Sequence, residues 1–379
     1  MTDHLFPADL RGATVLEVGC GEGFLCLEAK RRNAGRVVGV EPDDERLAAA
    51  AKTAGAENLA IEFLPGGIKD CGELGRFDYV LCRDLQPVLD PIDAIHKLLD
   101  LTRHKLVLEL EDVDLKSVKY SRKTARRALL GAWRPLFNLL PRRLRPGILI
   151  VDSHGKFLMT GNWVKNLLRA QRQDVDRIEI VDSDRRQRYF ALVTMRRLRV
   201  LLLVAGPAGI GKSYFARTLL PKDAALKRLV GLEEGEAWQT MGDVALDEGK
   251  EVKAGRLVVE YNIWRPVERE WNGFSGDPAL TIMRAAETKK ACILVAPKEV
   301  AIERLRTRGR GASLPGGKVE WLAREYSLPG RYRSRYQRWI SYCKANGFDV
   351  AYLDVGSRRV KAVSEDEALK VIGGEERRS

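Results

Sequence analysis

The sequence predicts a two-domain α/β protein. Each half of the chain opens with an apolar strand, a glycine-rich turn and a helix, the turns being Glu17–Gly23 and Gly206–Ser213. After each turn, apolar strands alternate with helical stretches, a pattern that favours parallel sheets. The length of 379 residues is sufficient for two ordinary domains. We therefore expect one domain over residues 1–197 and a second over residues 198–379.

The composition is typical of a globular chain rather than a disordered or membrane-spanning one. Hydrophobic residues make up 45% and charged residues 31% of the sequence. No apolar run approaches the ~20 residues needed to cross a bilayer, and the N-terminus lacks the features of a secretory signal. The six cysteines show no CxxC spacing, which fits a reducing compartment. These features predict a cytoplasmic protein.

The second glycine-rich turn has the spacing of a phosphate-binding P-loop. It reads Gly-Pro-Ala-Gly-Ile-Gly-Lys-Ser, follows an apolar run at 200–205 and precedes a helix predicted over 214–220. In this context backbone N–H groups point at phosphate oxygens, Lys212 would reach the β- and γ-phosphates, and the Ser213 hydroxyl can hold Mg²⁺. ATP with Mg²⁺ is therefore the expected ligand. The predicted nucleotide contacts are Gly206, Pro207, Ala208, Gly209, Ile210, Gly211, Lys212, Ser213 and Tyr214.

The first glycine-rich turn lies in a βαβ unit. A strand predicted over 14–18 leads into the turn, a helix follows over 24–32, and a second strand over 36–40 ends at Glu41. In such open sheets ligands bind at the carboxyl ends of the strands. A dinucleotide fingerprint would require its final glycine where Phe24 stands. The turn therefore favours a different cofactor.

The spacing Glu17-x-Gly19-x-Gly21-x-Gly23 resembles motif I of the class I S-adenosylmethionine-dependent methyltransferases. This resemblance covers about residues 12–197 and implies a Rossmann-like fold with S-adenosylmethionine as methyl donor. It further implies that the loop backbone approaches the methionine and ribose, that Glu41 accepts hydrogen bonds from the ribose hydroxyls, and that Gly66–Ile68 lies near the adenine. The implied donor contacts are Glu17, Gly19, Cys20, Gly21, Gly23, Glu41, Gly67 and Ile68.

Three carboxylates are candidates for assisting methyl transfer. Transfer to an oxygen acceptor needs positioning and a base. Asp84 follows the fourth predicted strand, where a base would be useful, but it could instead cap the next helix. Glu109 and Glu111, at the end of the fifth predicted strand, share this ambiguity. Pro87 stands near the position where the family often has a histidine, so the chain does not use that histidine.

Much of the net charge of +13 lies in one segment. Residues 115–151 contain ten Lys and Arg residues and no acidic residue. Apolar side chains at helical spacing predict a basic helical insertion at about 115–150, kinked or restarted at Pro135. It could be a lid on its own domain, a helix on an anionic membrane surface through 116–145, or a patch that tracks a nucleic-acid backbone. The clustering of its aromatic residues favours a membrane or an anionic substrate over RNA.

The second domain carries an acid near the end of a predicted strand at 256–262. In P-loop enzymes an acid in this place orients Mg²⁺ or takes the proton of the acceptor. We therefore predict that Glu260 and Ser213 form the metal site, with Asp243 and Asp247 as further candidates.

Arginines alternate at 304, 306, 308 and 310, near the end of a predicted helix. They resemble the arginine-rich lid of small P-loop kinases such as the nucleoside and nucleotide monophosphate kinases. That resemblance implies that guanidinium groups close over the transferring phosphoryl group, although a solvated helix end is the alternative. Helical spacing places Arg304 and Arg308 on one face. The predicted catalytic residues are Lys212, Glu260, Asp84, Arg304 and Arg308.

The two loops together predict a bifunctional methyltransferase and kinase acting on a hydroxyl-bearing acceptor. Bacterial polysaccharide chain terminators unite these activities, so a glycan or lipid-linked glycan at the inner membrane face is one candidate acceptor. One alternative is an RNA-modifying methyltransferase with a polynucleotide-kinase-like domain. Another is a methyltransferase gated by a nucleotide-binding switch domain that catalyses no reaction.

Overall fold

The chain folds into two compact units. The first comprises Met1–Arg169 and Val175–Arg196, and the second comprises Ala170–Asp174 and Arg197–Ser379. The computed structural model describes residues 5–83, 85, 90–113, 147, 149–151, 157–183, 185, 187–232, 237–268, 273–309, 316–357 and 359–373. Most of the predicted basic insertion, residues 114–146 and 148, lies outside the described residues.

A seven-stranded mixed sheet forms the centre of the first unit. Its strands are β1 (Val15–Val18), β2 (Val37–Glu41), β3 (Glu62–Pro65), β4 (Phe77–Cys82), β5 (Thr102–Glu111), β8 (Val175–Asp182) and β9 (Arg188–Met195), while β6 (Leu149–Val151) and β7 (Phe157–Met159) pair separately. The order is β3-β2-β1-β4-β5-β9-β8. Strands β1 to β5 are parallel, β9 is antiparallel to β5, and β8 is antiparallel to β9.

Two of the four helices on this sheet begin at an aspartate that caps them. They are α1 (Phe24–Arg31), α2 (Asp44–Ala56), α3 (Pro91–Asp100) and α4 (Gly161–Gln171). The Asp43 carboxylate accepts from the backbone N–H groups of Glu45 and Arg46 at 3.0 and 3.2 Å, which caps α2. Asp90 caps α3 in the same way through Ile92 N at 2.8 Å. The resemblance to class I methyltransferases implies a helix over 157–169, but residues 157–159 are strand β7 and α4 begins only at Gly161, so the start of that helix was predicted wrongly.

The second unit contains a six-stranded sheet. Its strands are β10 (Leu198–Gly206), β11 (Gln239–Gly242), β12 (Arg256–Asn262), β13 (Ala286–Val295), β14 (Asp349–Asp354) and β15 (Lys361–Val363). The order is β11-β12-β10-β13-β14-β15, with only β15 antiparallel to its neighbour. Strand β10 is buried at eight of its nine positions, and the chain places later strands on both of its sides. The carboxyl end of β10 is thus a topological switch point, where open sheets bind ligands.

Helices and shorter turns cover this second sheet. The helices are α5 (Lys212–Tyr214), α6 (Ala224–Leu229), α7 (Asp243–Asp247), α8 (Arg265–Glu268), α9 (Lys298–Gly309), α10 (Gly316–Ser327), α11 (Arg331–Ala345) and α12 (Glu365–Gly373). The aromatic-rich sequence over 326–345 predicts one helix. The structure has two, because Pro329 and Gly330 separate α10 from α11 and Gly330 has a φ of +67°. Helix α11 packs Trp339 onto Tyr261 with ring centroids 4.7 Å apart.

All six cysteines are buried, and none of them forms a disulfide. Cys20, Cys26, Cys71 and Cys82 lie in the first unit, and Cys292 and Cys343 lie in the second. Burial raises the pKa of Cys71 to about 11.

Within the described residues, no helix combines the length and apolarity needed to cross a membrane.

Two candidate ligand-binding loops

The first loop joins β1 to α1 at the carboxyl edge of the first sheet. Gly19, Gly21 and Gly23 have φ angles of +75°, +56° and +78°, a region that glycine adopts without steric cost. Strand β1 has β2 on one side and β4 on the other. The loop therefore opens where the strand order reverses. Open space surrounds the Cβ positions of Gly19 and Gly21, whereas Gly23 is buried against Ala50 and Phe63.

Glu41 ties this loop to the end of β2. Its Oε2 atom accepts from the backbone N–H of Gly21 at 2.8 Å, and its Oε1 atom accepts from Asp43 N at 3.2 Å. The side chain is 6% exposed. Each carboxylate oxygen can accept more than one hydrogen bond, so the group can hold the loop and still accept from a pair of ligand hydroxyls.

Glu17 is a buried carboxyl group beneath the loop. It is 1% exposed, and the Cys26 thiol donates to its Oε2 atom at 3.1 Å. The Oε1 atom is buried without a hydrogen-bond partner among the described residues. Burial raises the pKa of Glu17 to about 7, although the Cys26 hydrogen bond and the charge of Arg83 act in the opposite direction. An unsatisfied buried oxygen at this place fits a ligand group that would donate to it.

The raised pKa of Glu17 predicts a pH-dependent stability. Below the unfolded value of 4.5 both states are protonated, whereas between 4.5 and about 7 only the folded state keeps the proton, so stability falls as pH rises. Above about pH 7 Glu17 is ionised in both states, and its burial lowers the free energy of unfolding by about 3 kcal/mol. We expect Glu17→Gln to remove this slope, so that its unfolding free energy rises relative to the wild type between pH 4 and 8. Urea denaturation across that range measures the difference.

The control for this experiment is Glu22→Gln, an exposed residue of the same loop. Its stability should follow the wild-type pH profile. A Glu17→Gln profile that is parallel to the wild type would show that this carboxyl group titrates normally in the folded chain.

The remaining predicted donor contacts lie at the same edge of the sheet. Cys20 is 4% exposed and its backbone N–H donates to Val40 O at 3.1 Å. Gly67 N donates to Asp70 Oδ2 at 2.8 Å, so Asp70 closes the turn after β3. Ile68 is 9% exposed and packs in the core. The predicted base Asp84 lies outside the described residues.

Glu109 belongs to an ion cluster that the sequence did not reveal. Its carboxylate is 1% exposed and lies 3.2 Å from Arg83 Nε and 3.6 Å from Arg185 Nη1, while Ser183 Oγ donates to it at 2.9 Å. Arg188 Nη1 lies 4.0 Å away. The carboxylate oxygens of Glu109 are thus already engaged by guanidinium groups and a serine hydroxyl. Glu109 is therefore better placed to hold these side chains in position than to take a proton from an acceptor.

The second loop joins β10 to α5. Gly209 and Gly211 have φ angles of +83° and +103°. The Lys212 ammonium donates to the carbonyls of Gly206 and Pro207 at 2.9 and 2.8 Å, which folds it back over the loop. Helix α5 is continued by a π-helical turn at Phe215–Leu219, where an uninterrupted helix was expected. The lysine charge and the start of the helix therefore lie at one place, as anion binding requires.

Ser213, in helix α5, contacts Glu260 of strand β12. The Ser213 hydroxyl donates to Glu260 Oε2, and Arg217 Nε donates to Glu260 Oε1 at 2.5 Å. Glu260 is 8% exposed. A hydroxyl and a carboxylate in contact are the oxygen ligands that Mg²⁺ prefers, so the pair fits the metal expected with a triphosphate. The contact with Arg217 was not predicted.

Helices α9 and α10 pack against the backbone of this second loop. A Cβ atom on Gly209 would lie 2.6 Å from Ala301 O, which leaves no room for a side chain. Arg304 donates to Ile210 O at 3.3 Å and to Val355 O at 2.8 Å, and Tyr326 OH donates to Ala208 O at 3.2 Å. Arg304 thus contacts the loop, while the Arg308 side chain lies outside the described residues. Tyr214 is 62% exposed.

Asp243 and Asp247 bind Arg265 instead of facing the loop. Asp243 Oδ1 lies 3.5 Å from Arg265 Nη1, Asp247 is in direct contact with the same guanidinium, and Asp277 lies 3.1 Å from its Nε atom. Asp243 also accepts from Asn262 N at 2.8 Å. Arg265 is 3% exposed. These acids therefore compensate one buried cation and brace the end of β12.

Comparison with known proteins identifies relatives of the first unit. Residues 15–105 match the family described as a methyltransferase domain. A tRNA U34 carboxymethyltransferase of Shewanella sp. (strain ANA-3) is 35% identical over 119 residues, 30% of this chain and 36% of that protein. A ubiquinone biosynthesis O-methyltransferase of Bradyrhizobium diazoefficiens is 37% identical over 76 residues, 20% of this chain and 30% of that protein. The chain spans about a third of the length of these curated relatives.

Solved structures of methyltransferases are also similar to part of the chain. The magnesium protoporphyrin IX methyltransferase of Synechocystis PCC 6803 with bound SAH has a TM-score of 0.32 and 18% identity, covering 49% of this chain and 75% of that one. The plantazolicin methyltransferase in complex with SAH has a TM-score of 0.33 and 17% identity, covering 49% of this chain and 76% of that one. These values carry no information on substrate.

Proposed function

We propose that this chain is a bifunctional methyltransferase and ATP-dependent phosphotransferase. Its N-terminal unit contains an α/β, Rossmann-like methyltransferase domain of the class I S-adenosylmethionine-dependent type. Each unit supplies one glycine-rich loop at the switch point of its sheet. The proposal assigns the methyl donor to the first loop and MgATP to the second. Both reactions act on a hydroxyl-bearing acceptor.

The observation that carries the methyltransferase assignment is the hydrogen bond from Gly21 N to Glu41 Oε2. It joins a loop of three left-handed glycines to an acid at the tip of the neighbouring strand. Glu41 would accept from the ribose hydroxyls, the loop backbone would lie against the methionine portion, and Glu17 would accept a hydrogen bond from below. Bound S-adenosylmethionine would supply an electrophilic methyl group to the acceptor oxygen, S-adenosylhomocysteine would be the leaving group, and the proton of the acceptor would pass to solvent. The chain contributes mainly positioning.

The phosphotransferase assignment is supported by the second loop. The Lys212 ammonium donates to the Gly206 carbonyl of the loop, and the Ser213 hydroxyl donates to Glu260. Lys212 would neutralise charge on the β- and γ-phosphates, Ser213 and Glu260 would hold Mg²⁺, and Arg304 would keep the loop in place through Ile210 O. In the transfer, the γ-phosphoryl group leaves ADP and joins an acceptor oxygen, whose proton goes to a base.

The acceptor we propose is a hydroxyl-bearing glycan or lipid-linked glycan, with the basic segment 116–145 directed to an anionic surface. The alternative acceptor is RNA. Two observations favour it. Relatives of the first unit are named as tRNA U34 carboxymethyltransferases, and the net charge of +13 suits a polyanion. A nucleotide-gated methyltransferase is the third candidate, in which ATP binding changes methylation without phosphoryl transfer.

The test is a double-label experiment with the full chain. The protein is incubated with γ-labelled ATP, methyl-labelled S-adenosylmethionine and fractionated glycan, lipid and RNA pools. We expect one product that carries both labels. Labels on separate products would contradict a common acceptor, and methylation that ATP stimulates without any phosphoryl product would support the gated alternative. If RNA is the acceptor, its binding should weaken steeply as salt rises.

A further inference from the structure

A cavity of about 430 Å³ lies in the second unit, outside the residues assigned to either loop. Its lining residues are Trp264, Pro329, Gly330, Arg331, Ser334, Arg335 and Arg338. Three of the seven lining residues are arginines, and none is acidic. The cavity forms at the break between α10 and α11.

Arg335 is one of the residues that line this cavity. It is 7% exposed, and its Nε atom donates to Ile263 O at 2.6 Å. Its guanidinium carbon lies 4.5 Å from the centre of the Phe274 ring. Its Nη2 atom is buried and has no hydrogen-bond partner among the described residues. A buried guanidinium with an unsatisfied donor is costly unless a ligand completes it.

The surroundings of Arg335 add positive charge. Burial lowers the pKa of Arg335 to about 10, and the nearby charges of Arg338 and Arg331 act in the same direction. Arg331 has a partner, since its Nε atom lies 2.8 Å from Glu325. Gly330 and Arg331 begin the 15-residue helix α11, whose N-terminus carries partial positive charge. Guanidinium groups, a helix N-terminus and an open volume together favour a bound anion.

Two sets of contacts join the cavity wall to the P-loop. Ile263 donates to Gly206 O at 3.3 Å and accepts from Arg335 Nε. A second connection runs through aromatic rings, because Trp264 lies 4.9 Å from Tyr326, whose hydroxyl donates to Ala208 O. The cavity therefore lies at the same edge of the sheet as the loop, where a second substrate of that loop would bind.

We propose that this cavity binds a phosphate group of the acceptor that the second unit phosphorylates. Arg335 and Arg338 donate to the phosphate oxygens, and the first turn of α11 faces them. The role as acceptor site rests on the proposed function of the second unit, whereas the binding of phosphate does not. The acceptor would accordingly carry both a hydroxyl group and a phosphate.

The test measures binding of inorganic phosphate to the full chain by calorimetry. The cavity variants are Arg335→Met and Arg338→Met, and the exposed Arg338 keeps the experiment valid if the buried variant folds poorly. Arg333→Met is the matched control, because Arg333 is an exposed arginine of α11 that does not line the cavity. Lys212→Ala disables the P-loop. We expect each cavity variant to bind phosphate about tenfold more weakly, since a charge-assisted hydrogen bond contributes on this scale.

The expected pattern is weaker phosphate binding by the cavity variants and wild-type phosphate binding by Arg333→Met and Lys212→Ala. Absence of phosphate binding at millimolar concentrations, or a loss confined to Lys212→Ala, would overturn the proposal. MgATP binding, measured on the same proteins, separates the two assignments. If MgATP fails to bind while the phosphate pattern holds, the phosphotransferase assignment falls and the cavity site stands.

Discussion

Lys212→Ala is expected to abolish phosphoryl transfer, with a fall of about 10³-fold in turnover. In the structure the ammonium group of Lys212 lies 2.9 and 2.8 Å from two carbonyls of the loop, at the place where triphosphate oxygens would lie. Removing a positive group that stabilises developing charge costs a factor of this order. Transfer of label from γ-labelled ATP to the acceptor pools, or ATP hydrolysis in their absence, measures it.

The matched control is Lys222→Ala, an exposed lysine ten positions further along the chain. It should retain the wild-type rate. Binding of S-adenosylmethionine by the Lys212→Ala protein should also be unchanged, because the methyl-donor loop belongs to the other unit. Undiminished ATP turnover by Lys212→Ala would refute the assignment of the second loop.

Glu41→Ala is expected to weaken the binding of S-adenosylmethionine by about 100-fold. The substitution removes the acceptor of the Gly21 N–H, which shapes the loop, together with the acceptor proposed for two ribose hydroxyls. Hydrogen bonds to a charged group contribute about 1.5–3 kcal/mol each, and a factor of 100 corresponds to about 2.8 kcal/mol. Isothermal titration calorimetry measures the dissociation constant directly.

Glu45→Ala provides the control, since Glu45 is an exposed carboxylate in the following helix. Glu41→Gln, which keeps one carbonyl oxygen, should fall between the wild type and the alanine variant. A Glu41→Ala protein with wild-type affinity for the donor would mean that the ribose binds elsewhere. MgATP binding by the same variant reports on the fold of the second unit.

Buried strands and glycine turns were predictable because local sequence determines them. The expected strand at 14–18 is β1 at Val15–Val18, and the expected strand at 256–262 is β12. Strand β8 was not expected. It lies at the edge of its sheet, and the exposed Asp176 and Arg177 within it dilute the apolar pattern on which prediction depends.

The sequence contains a turn signal at the break between α10 and α11, but the helical spacing of the tyrosines on both sides obscured it. Tyr326, Tyr332 and Tyr336 continue one aromatic surface across the break, with ring centroids 5.4 and 5.3 Å apart. The Pro329–Gly330 pair is a strong indication of a turn. It is this break that creates the arginine-lined cavity.

The ion clusters could not have been predicted from the sequence alone. Arg217 and Glu260 are 43 residues apart, and Arg83 and Glu109 are 26 residues apart. Only the order of the strands brings such partners together, because parallel neighbours in the sheet are separated by a crossover in the chain. The candidate ligand loops, in contrast, are continuous segments whose spacing is visible in one line of sequence.

Because every thiol is buried, the reactivity of the cysteines reports how often each unit transiently opens. An alkylating reagent can reach Cys292 or Cys343 only when the second unit opens, and it can reach the other four only when the first unit opens. Pulsed alkylation followed by mass spectrometry would thus time the transient opening of the two units separately, without an introduced probe. Donor and nucleotide would each be expected to slow the labelling of a different set of cysteines.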